Sequence, residues 1–168
     1  MDSQRNWSAR TIKGRGKLAN RLANQRIVMI GLGSLGASIA ELLTRAGVTQ
    51  LTCIDGNALE MGNLCRHTLC MTDLYQSKSK LVAKRLTNID PNIHTTYAER
   101  YLDIDETGAL VPDLSSFDII IDSTGEDQVL ALLSATEWKR KIVFCSSSVG
   151  LGAKRLYIKY SKDKTASL

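Results

Sequence analysis

The sequence is poor in prolines, histidines and aromatic residues, and each shortage excludes a class of protein. Among its 168 residues are two prolines and two histidines, and aromatic residues make up 5%. With so few prolines and only 12 glycines, the chain is neither collagen-like nor of low complexity. Hydrophobic residues reach 43%, whereas a disordered chain combines low hydrophobicity with high net charge. We therefore expect one folded domain of ordinary size.

Cysteines and long apolar runs are scarce as well. The cysteines are Cys53, Cys65, Cys70 and Cys145. None forms a CxxC pair, so neither a disulfide scaffold nor a zinc site of ordinary spacing is predicted. The longest uncharged run, 27–40, is too short to cross a bilayer, and the first 20 residues lack the apolar core of a signal peptide. These features predict a cytoplasmic protein without a membrane partner.

The positive charge is concentrated at the N-terminus. The net charge is +5, but residues 1–26 hold seven of the 22 basic side chains and one of the 17 acidic ones. The remaining chain carries 15 basic and 16 acidic residues. Nucleic-acid-binding domains spread Lys and Arg over a folded face, so a nucleic acid is not an expected partner. We divide the chain into a basic segment, 1–25, and a folded domain, 26–168.

Apolar runs and helical periods alternate along the chain. Strands are predicted at 26–31, 48–55, 94–101, 117–122, 142–145 and 156–160, and helices at 17–26, 34–46, 77–89 and 127–138. Strands that alternate with helices indicate parallel pairing through helical crossovers. The predicted fold class is α/β: a doubly wound, mostly parallel sheet with helices on both faces, as in Rossmann-like domains.

A glycine-rich turn follows the first predicted strand and opens the first long helix. It reads Gly31-Leu-Gly33-Ser-Leu-Gly36, where the glycines allow a tight turn, a close approach to phosphates and close helix–strand packing. The helix N-terminus supplies N–H donors to an anion. Asp55 ends the second strand, 19 residues after Gly36, where a carboxylate accepts hydrogen bonds from ribose hydroxyls. Nucleotide binding is the prediction.

The segment after Asp55 narrows the choice of nucleotide. Asn63-Leu-Cys-Arg66-His67 begins eight residues on, and Lys78 stands at the start of the next helix. Arg offers a planar fork to phosphate oxygens and Lys a mobile point charge. Over about residues 22–125 this run resembles the ThiF/MoeB-type adenylating enzymes of the ubiquitin-activating-enzyme superfamily. The Arg66-His67 pair, in place of the commoner Arg-Gln, resembles the pair found in bacterial members fused to a conjugating-enzyme-like domain.

The resemblance implies a reaction, a cofactor and a set of residue roles. It implies ATP-dependent adenylation of the C-terminal carboxylate of a ubiquitin-like or sulfur-carrier protein, and a homodimer. Asp55 would hold the ribose, while Asn63, Arg66 and Lys78 would manage the phosphates, with Arg66 and Lys78 catalytic. Family members also bring an N-terminal arginine to the γ-phosphate, and Arg10 is the nearest candidate for this third catalytic residue.

The magnesium site is where the sequence departs from the family. Members carry an acid soon after the fourth strand, in a run like Asp-x-Thr-Asp-Asn, whereas this chain has Gly125 at that position. Asp127 and Asp122 are the predicted ligands, and Glu126 is an alternative to Asp127. The other possibility is a site that binds ATP and turns over poorly.

Two other functions stay open at this stage. An NAD(P)-dependent oxidoreductase would use the glycine loop and Asp55 but leaves Asn63, Arg66 and Lys78 without a role. A non-catalytic nucleotide-binding module would account for Gly125. Members of the family usually continue for about another hundred residues, so the resemblance further implies the nucleotide-binding part of a longer protein.

Overall fold

A computed structural model describes residues 20–150 and 152–163. The strands, in chain order, are β1 (Arg26–Ile30), β2 (Gln50–Ile54), β3 (His94–Ala98), β4 (Asp103–Ile104), β5 (Leu110–Val111), β6 (Ile119–Asp122), β7 (Ile142–Gly150) and β8 (Arg155–Asp163). Six of them form one sheet in the order β3-β2-β1-β6-β7-β8. Its neighbours pair in parallel except β7 and β8, which are antiparallel. The mostly parallel sheet predicted from the sequence is confirmed.

All of the described helices except the first, which precedes β1, connect parallel strands. The helices are α1 (Asn20–Ala23), α2 (Ser34–Ala46), α3 (Lys78–Ile89) and α4 (Asp127–Ala135), and two 3₁₀ turns lie at Met61–Asn63 and Met71–Asp73. α2 ends at Gly47, which is left-handed at φ 106° and donates its N–H to the Leu43 and Thr44 carbonyls, as glycine does after a helix. Ser77 caps α3 by accepting the Lys80 N–H.

Alternate residues of β1 face two separate apolar layers. Ile27 and Met29 belong to the cluster that packs under α2 and α3, whereas Val28 and Ile30 belong to the cluster under α4. All four side chains are buried. A strand buried on both faces reads as a continuous apolar run, and the run at the start of the domain does so. The sheet is therefore doubly wound, as predicted.

Several predicted boundaries were wrong. β3 ends at Ala98 rather than 101, and β2 begins at Gln50 rather than 48. α4 ends at Ala135 because the chain turns Trp138 back into the core, where its indole donates to the Leu133 carbonyl and lies 5.3 Å from the Phe144 ring. In the predicted helix at 17–26, only Asn20–Ala23 is helical among the residues that the structure describes.

The C-terminal hairpin is longer than predicted. β7 runs to Gly150 through three consecutive serines, and β8 begins at Arg155. Antiparallel pairing continues from Ile142 opposite Asp163 to Gly150 opposite Arg155. The backbone hydrogen bonds of this pairing keep the serines in a strand, although serine is not among the residues that favour strands. The β4–β5 hairpin was not predicted. Over the described ranges, no helix has the length and apolar character needed to cross a membrane.

Candidate nucleotide site

The candidate site lies where the strand order of the sheet reverses. β1 and β6 are neighbours, but the chain leaves β1 toward β2 and leaves β6 toward β7. The glycine loop follows β1, and Ser123 and Thr124 follow β6. In doubly wound sheets the crevice outside the carboxyl ends of the strands at this point is the usual ligand site.

Gly31 and Gly36 hold the glycine loop against its neighbours. Gly31 has φ +81°, and a Cβ there would lie 2.8 Å from the Thr124 amide nitrogen. A Cβ on Gly36 would lie 2.0 Å from the Gly31 carbonyl oxygen. Gly31 needs glycine both for its left-handed conformation and for space, and Gly36 needs it for space. Both positions fix the loop close to the end of β6.

Gly33 differs from the other two glycines because its missing side chain leaves open space. No atom lies within 4 Å of a Cβ built there. Gly33 is also the N-cap of α2 and offers no side-chain cap, so the first-turn N–H groups of α2 have no intrahelical partners. An N-terminus of this kind attracts phosphate.

Asp55 directly follows β2, whereas the predicted strand ended with it, and the residue is 8% exposed. One oxygen accepts the Leu32 N–H at 2.7 Å and the other the Asn57 N–H at 2.8 Å. Each carboxylate oxygen has a second lone pair, and Asp55 lines the cavity beside Gly31 and Gly33. The two backbone bonds orient the carboxylate while leaving acceptor capacity for a hydroxyl.

Lys78 is the buried cation of the site. The residue is 8% exposed and lines the same cavity as Asp55. Its backbone N–H donates to the Asn57 carbonyl, but across the described ranges its ammonium has no ion pair or side-chain hydrogen bond. Buried charges are normally paired, so the geometry leaves room for an anionic partner.

The cavity has a volume of about 710 Å³. One wall is apolar and is formed by Ile30, Ile54, Leu102, Val129 and Leu132. Its polar lining includes Asp55, Lys78, Ser123, Thr124 and Glu126. An apolar surface with a few convergent polar groups is typical of small-molecule sites. The apolar residues suit a planar base, and the polar residues around Lys78 suit phosphates.

Asn63 and Arg66 lie outside that lining. The side-chain oxygen of Asn63, Oδ1, accepts the Glu60 N–H at 3.1 Å and so caps its own 3₁₀ turn. Arg66 is exposed, and no described residue pairs with its guanidinium. The structure therefore brings Asp55, Lys78 and the glycine loop together around the cavity, whereas Asn63 and Arg66 do not line it.

The two predicted metal ligands occupy different environments. Asp122 is 1% exposed, and its carboxylate accepts the N–H and hydroxyl of Thr124 and the hydroxyl of Ser146. These bonds hold the loop after β6 to β7. Asp127, the first residue of α4, is exposed and does not line the cavity, whereas Glu126 does. No group of three His, Cys, Asp or Glu side chains suited to a metal occurs within the described part of the chain.

Two further predictions concern Gly125 and Arg10. Gly125 has φ +72°, and only Ser148 approaches a Cβ built there, at 3.7 Å, so the position has room but a conformation that favours glycine. Arg10 lies outside the described residues.

Tyr101 is a cavity residue that the sequence did not indicate. Its ring covers the Gly56 backbone, where a Cβ would come within 2.8 Å of the ring. The Tyr101 hydroxyl donates to the Asn57 side-chain oxygen at 2.6 Å, next to the bond between Asn57 and Asp55. The strand predicted over 94–101 included Tyr101, but β3 ends at Ala98. The position of the Tyr101 ring over Gly56 depends on a tertiary contact that a single sequence does not show.

His67 contacts the glycine loop. Its Nε2 lies 2.7 Å from the Leu32 carbonyl oxygen, and its Nδ1 accepts the Leu69 N–H at 3.1 Å. Burial lowers the pKa of His67 and nearby Lys78 lowers it further, against opposing effects of the Leu32 bond and of Asp55. The predicted Arg66-His67 pair thus has one exposed member and one that reaches the loop.

Comparison with known proteins shows the family of this chain. The profile of the ThiF family matches residues 3–166. The chain belongs to the ThiF family. A relative from Enterobacter hormaechei subsp. hoffmannii, an ATP-dependent ubiquitin transferase-like protein Cap2, is 35% identical over 90% of this chain and 25% of its own length. The molybdopterin-synthase adenylyltransferase of Escherichia coli is 32% identical over 76% of this chain and 50% of its own.

Solved structures agree on the fold of this ThiF-family chain. Escherichia coli MccB crystallised with succinimide superposes with a TM-score of 0.68 at 17% identity, over 77% of this chain and 38% of MccB. The chain spans a quarter to a half of the length of the two curated relatives described above. The predicted Rossmann-like fold and family are confirmed.

Proposed function

We propose that this chain binds ATP and adenylates the C-terminal carboxylate of a ubiquitin-like or sulfur-carrier protein, releasing pyrophosphate. The observation that carries the proposal is the buried Lys78, which has no side-chain partner among the described residues and shares one cavity with Asp55 and the glycine loop. The relatives support the reaction class, since one is named as an adenylyltransferase and another as an ATP-dependent ubiquitin transferase-like protein. The same family membership leaves the NAD(P) oxidoreductase alternative without support.

The groups of the cavity divide the work on the nucleotide. Asp55 accepts from the ribose, and the apolar wall accommodates the base. The free N–H groups of the glycine loop and α2 bind phosphate oxygens, and Lys78 neutralises the charge that grows during transfer. A carboxylate oxygen of the carrier attacks the α-phosphorus, a new O–P bond forms, and the bond from the α-phosphorus to the bridging oxygen breaks with its electrons leaving on pyrophosphate.

Arg66 and Asn63 act from the rim in this proposal. Arg66 is exposed and unpaired within the described ranges, so its long side chain is available to a bound triphosphate. The side-chain oxygen of Asn63 caps the turn, and no residue in the described part of the chain accepts from its NH₂ group. We expect Arg66→Ala to slow adenylation more than it weakens ATP binding, and Arg66→Lys to recover part of the rate.

Magnesium enters the proposal only with the nucleotide. Mg²⁺ usually takes one or two carboxylates together with phosphate oxygens and water, and the described residues form no protein cage of their own. The bonds of Asp122 suit it to holding the loop rather than an ion. Asp127 stays the predicted ligand, with Glu126 lining the cavity beside it.

The assembly and location are proposed on narrower grounds. We infer a homodimer in which Arg10 reaches the γ-phosphate of the nucleotide bound by the partner. We also infer that the chain is the nucleotide-binding part of a longer protein and that its location is cytoplasmic. All four cysteines are free, and Cys65 and Cys70 are exposed, which suits a reducing compartment. Mixing Arg10→Ala with Lys78→Ala chains tests the dimer, because an arginine acting across the interface restores one complete site.

A non-catalytic nucleotide-binding module is the second candidate. Gly125 at the position of the family's acid favours it, as does the lack of a metal cluster in the described part. An acyl-sulfamoyl adenosine, a stable mimic of the acyl-adenylate, separates the two. An adenylating site binds this mimic more tightly than AMP by about 100-fold or more, as enzymes bind analogues of reacting species. Equal affinity for the mimic and AMP would favour the module.

A further inference from the structure

Leu32, the second residue of the glycine loop, is held by side chains of two other segments. Its N–H donates to Asp55 and its carbonyl oxygen lies 2.7 Å from His67 Nε2. On the other side of the imidazole, Leu69 N–H donates to Nδ1. A backbone N–H cannot accept, so Nδ1 is unprotonated and the ring proton lies on Nε2. His67 is therefore a neutral donor to the Leu32 carbonyl.

This bond determines the direction of the next amide. The Leu32 carbonyl and the Gly33 N–H belong to one planar trans peptide and point in opposite directions, and the cis bond of the described chain lies elsewhere, at Val111-Pro112. Gly33 lines the cavity, and among the described residues no group accepts its N–H. With the carbonyl fixed toward His67, the Gly33 N–H is directed away from the protein's own acceptors.

We propose that His67 is a positioning residue that, through the Leu32 carbonyl, aims the Gly33 N–H at the phosphates of the nucleotide. The inference rests on the proposed ATP site and assigns to that site a residue that touches no substrate. Asp55 holds the same residue from the other side, so the ribose-binding carboxylate and the imidazole together set the orientation of the loop.

The surroundings keep His67 in the form that this role needs. Lys78, Asp55 and Asp73 are the charged groups that act on the ring. Burial and Lys78 lower the pKa of His67, and the carboxylates oppose them, so at neutral pH the ring remains the Nε2–H donor. A purely structural histidine would contribute stability without affecting phosphate binding, and substitutions can separate the two roles.

Gln and Asn provide matched substitutions because each imitates one nitrogen of the ring. In His67→Gln the amide NH₂ reaches the position of Nε2 and can donate to the Leu32 carbonyl. In His67→Asn the shorter amide reaches the position of Nδ1 and can satisfy only the Leu69 N–H. His94 is the control, since it is the other histidine of the chain and is exposed on β3.

The test is calorimetric titration of ATP into the 168-residue chain and the three variants His67→Gln, His67→Asn and His94→Asn. We expect His67→Asn to weaken ATP binding about 10- to 100-fold, the effect of one misdirected bond to a charged group. His67→Gln should stay within about threefold of the unchanged protein and His94→Asn should match it. In amide spectra, ATP should shift the Gly33 resonance in the unchanged protein and His67→Gln but much less in His67→Asn.

Each outcome decides between the possibilities. ATP binding that His67→Asn leaves unchanged would overturn this inference alone, and so would equal losses of ATP affinity in His67→Asn and His67→Gln. No ATP binding by the unchanged chain would overturn the proposed function, and this inference with it.

Discussion

Alanine at Gly31 should destabilise the fold, whereas alanine at Gly33 should weaken ATP binding, although the two glycines lie two residues apart in one loop. At Gly31 the backbone is left-handed, and an added Cβ would meet backbone atoms of Ser123 and Thr124 at 2.8–2.9 Å. At Gly33, φ is −68° and ψ −166°, which alanine adopts freely, and nothing lies within 4 Å. One position is limited by the fold, whereas the other keeps space for a ligand.

The magnitudes follow from these environments. The left-handed conformation costs alanine about 1–2 kcal/mol, and overpacking against backbone adds about 1–3 kcal/mol. Gly31→Ala should therefore lower the free energy of unfolding by about 2–5 kcal/mol, a melting temperature lower by on the order of 10 °C for a chain of this size. In Gly33→Ala, a weaker N-cap costs about 0.5 kcal/mol and the reduced entropy of the unfolded chain offsets about as much.

Thermal unfolding and ATP titration on the same samples provide the assay. Gly33→Ala should melt within about 2 °C of the unchanged protein and yet bind ATP at least about tenfold more weakly, because its methyl group occupies the space left for phosphate. Equal melting temperatures for the two variants would refute the reasoning from backbone conformation. Undiminished ATP binding by Gly33→Ala would refute the placement of phosphate at this loop.

Other predictions concern charge, thiols and the metal position. Burial raises the pKa of Asp118, but hydrogen bonds from Arg26 and Arg140 outweigh this effect and lower the pKa from 3.8 to about 2. The ionised Asp118 therefore stabilises the folded state by about 2 kcal/mol above pH 3.8, and this contribution is lost as the pH falls through 2. Urea unfolding of Asp118→Asn should show the loss of stability at pH 7 but not at pH 2. Burial raises the pKa of the Cys53 thiol to about 12, so mass spectrometry after brief alkylation should find label on exposed thiols and none on Cys53 until the protein unfolds. Gly125→Asp should cost about 1 kcal/mol for its left-handed backbone and make ATP binding more dependent on Mg²⁺; a titration in which the Mg²⁺ dependence is unchanged would contradict the role given to that position.

The parts of the fold that the sequence predicted well are those with local causes. The apolar run of β1, the period of α2 and the glycines around it specify strand, turn and helix within a few residues of one another. The predicted bounds of α2, 34–46, match the structure, and Asp55, predicted as the last residue of the second strand, lies one residue beyond the end of β2. Long-range pairing decided the rest: β7 extends through serines because β8 lies beside it, and Trp138 ends α4 early because its ring finds Phe144.

The sequence indicated several residues that line the cavity, but not the contacts that position them. Lys78 lines the cavity because the helix that it opens starts beside Asn57, whose carbonyl accepts the Lys78 N–H. The sequence did not predict this contact, and only the resemblance assigned Lys78 to the phosphates. Asn63 stays a predicted phosphate ligand, and its side-chain oxygen caps its own turn, since short polar side chains compete for nearby backbone groups. The contacts of Tyr101 and His67 join segments distant in sequence, and no local pattern indicates them.

The most direct test of the central claim is calorimetric titration of the chain with ATP and magnesium, with NAD as competitor. The account predicts that ATP binds, that NAD does not displace it, and that Lys78→Ala weakens binding about 10- to 100-fold. Lys80→Ala, an exposed lysine of the same helix, should leave the affinity unchanged. Binding of NAD in preference to ATP, or equal ATP affinities for the Lys78→Ala and Lys80→Ala proteins, would contradict it.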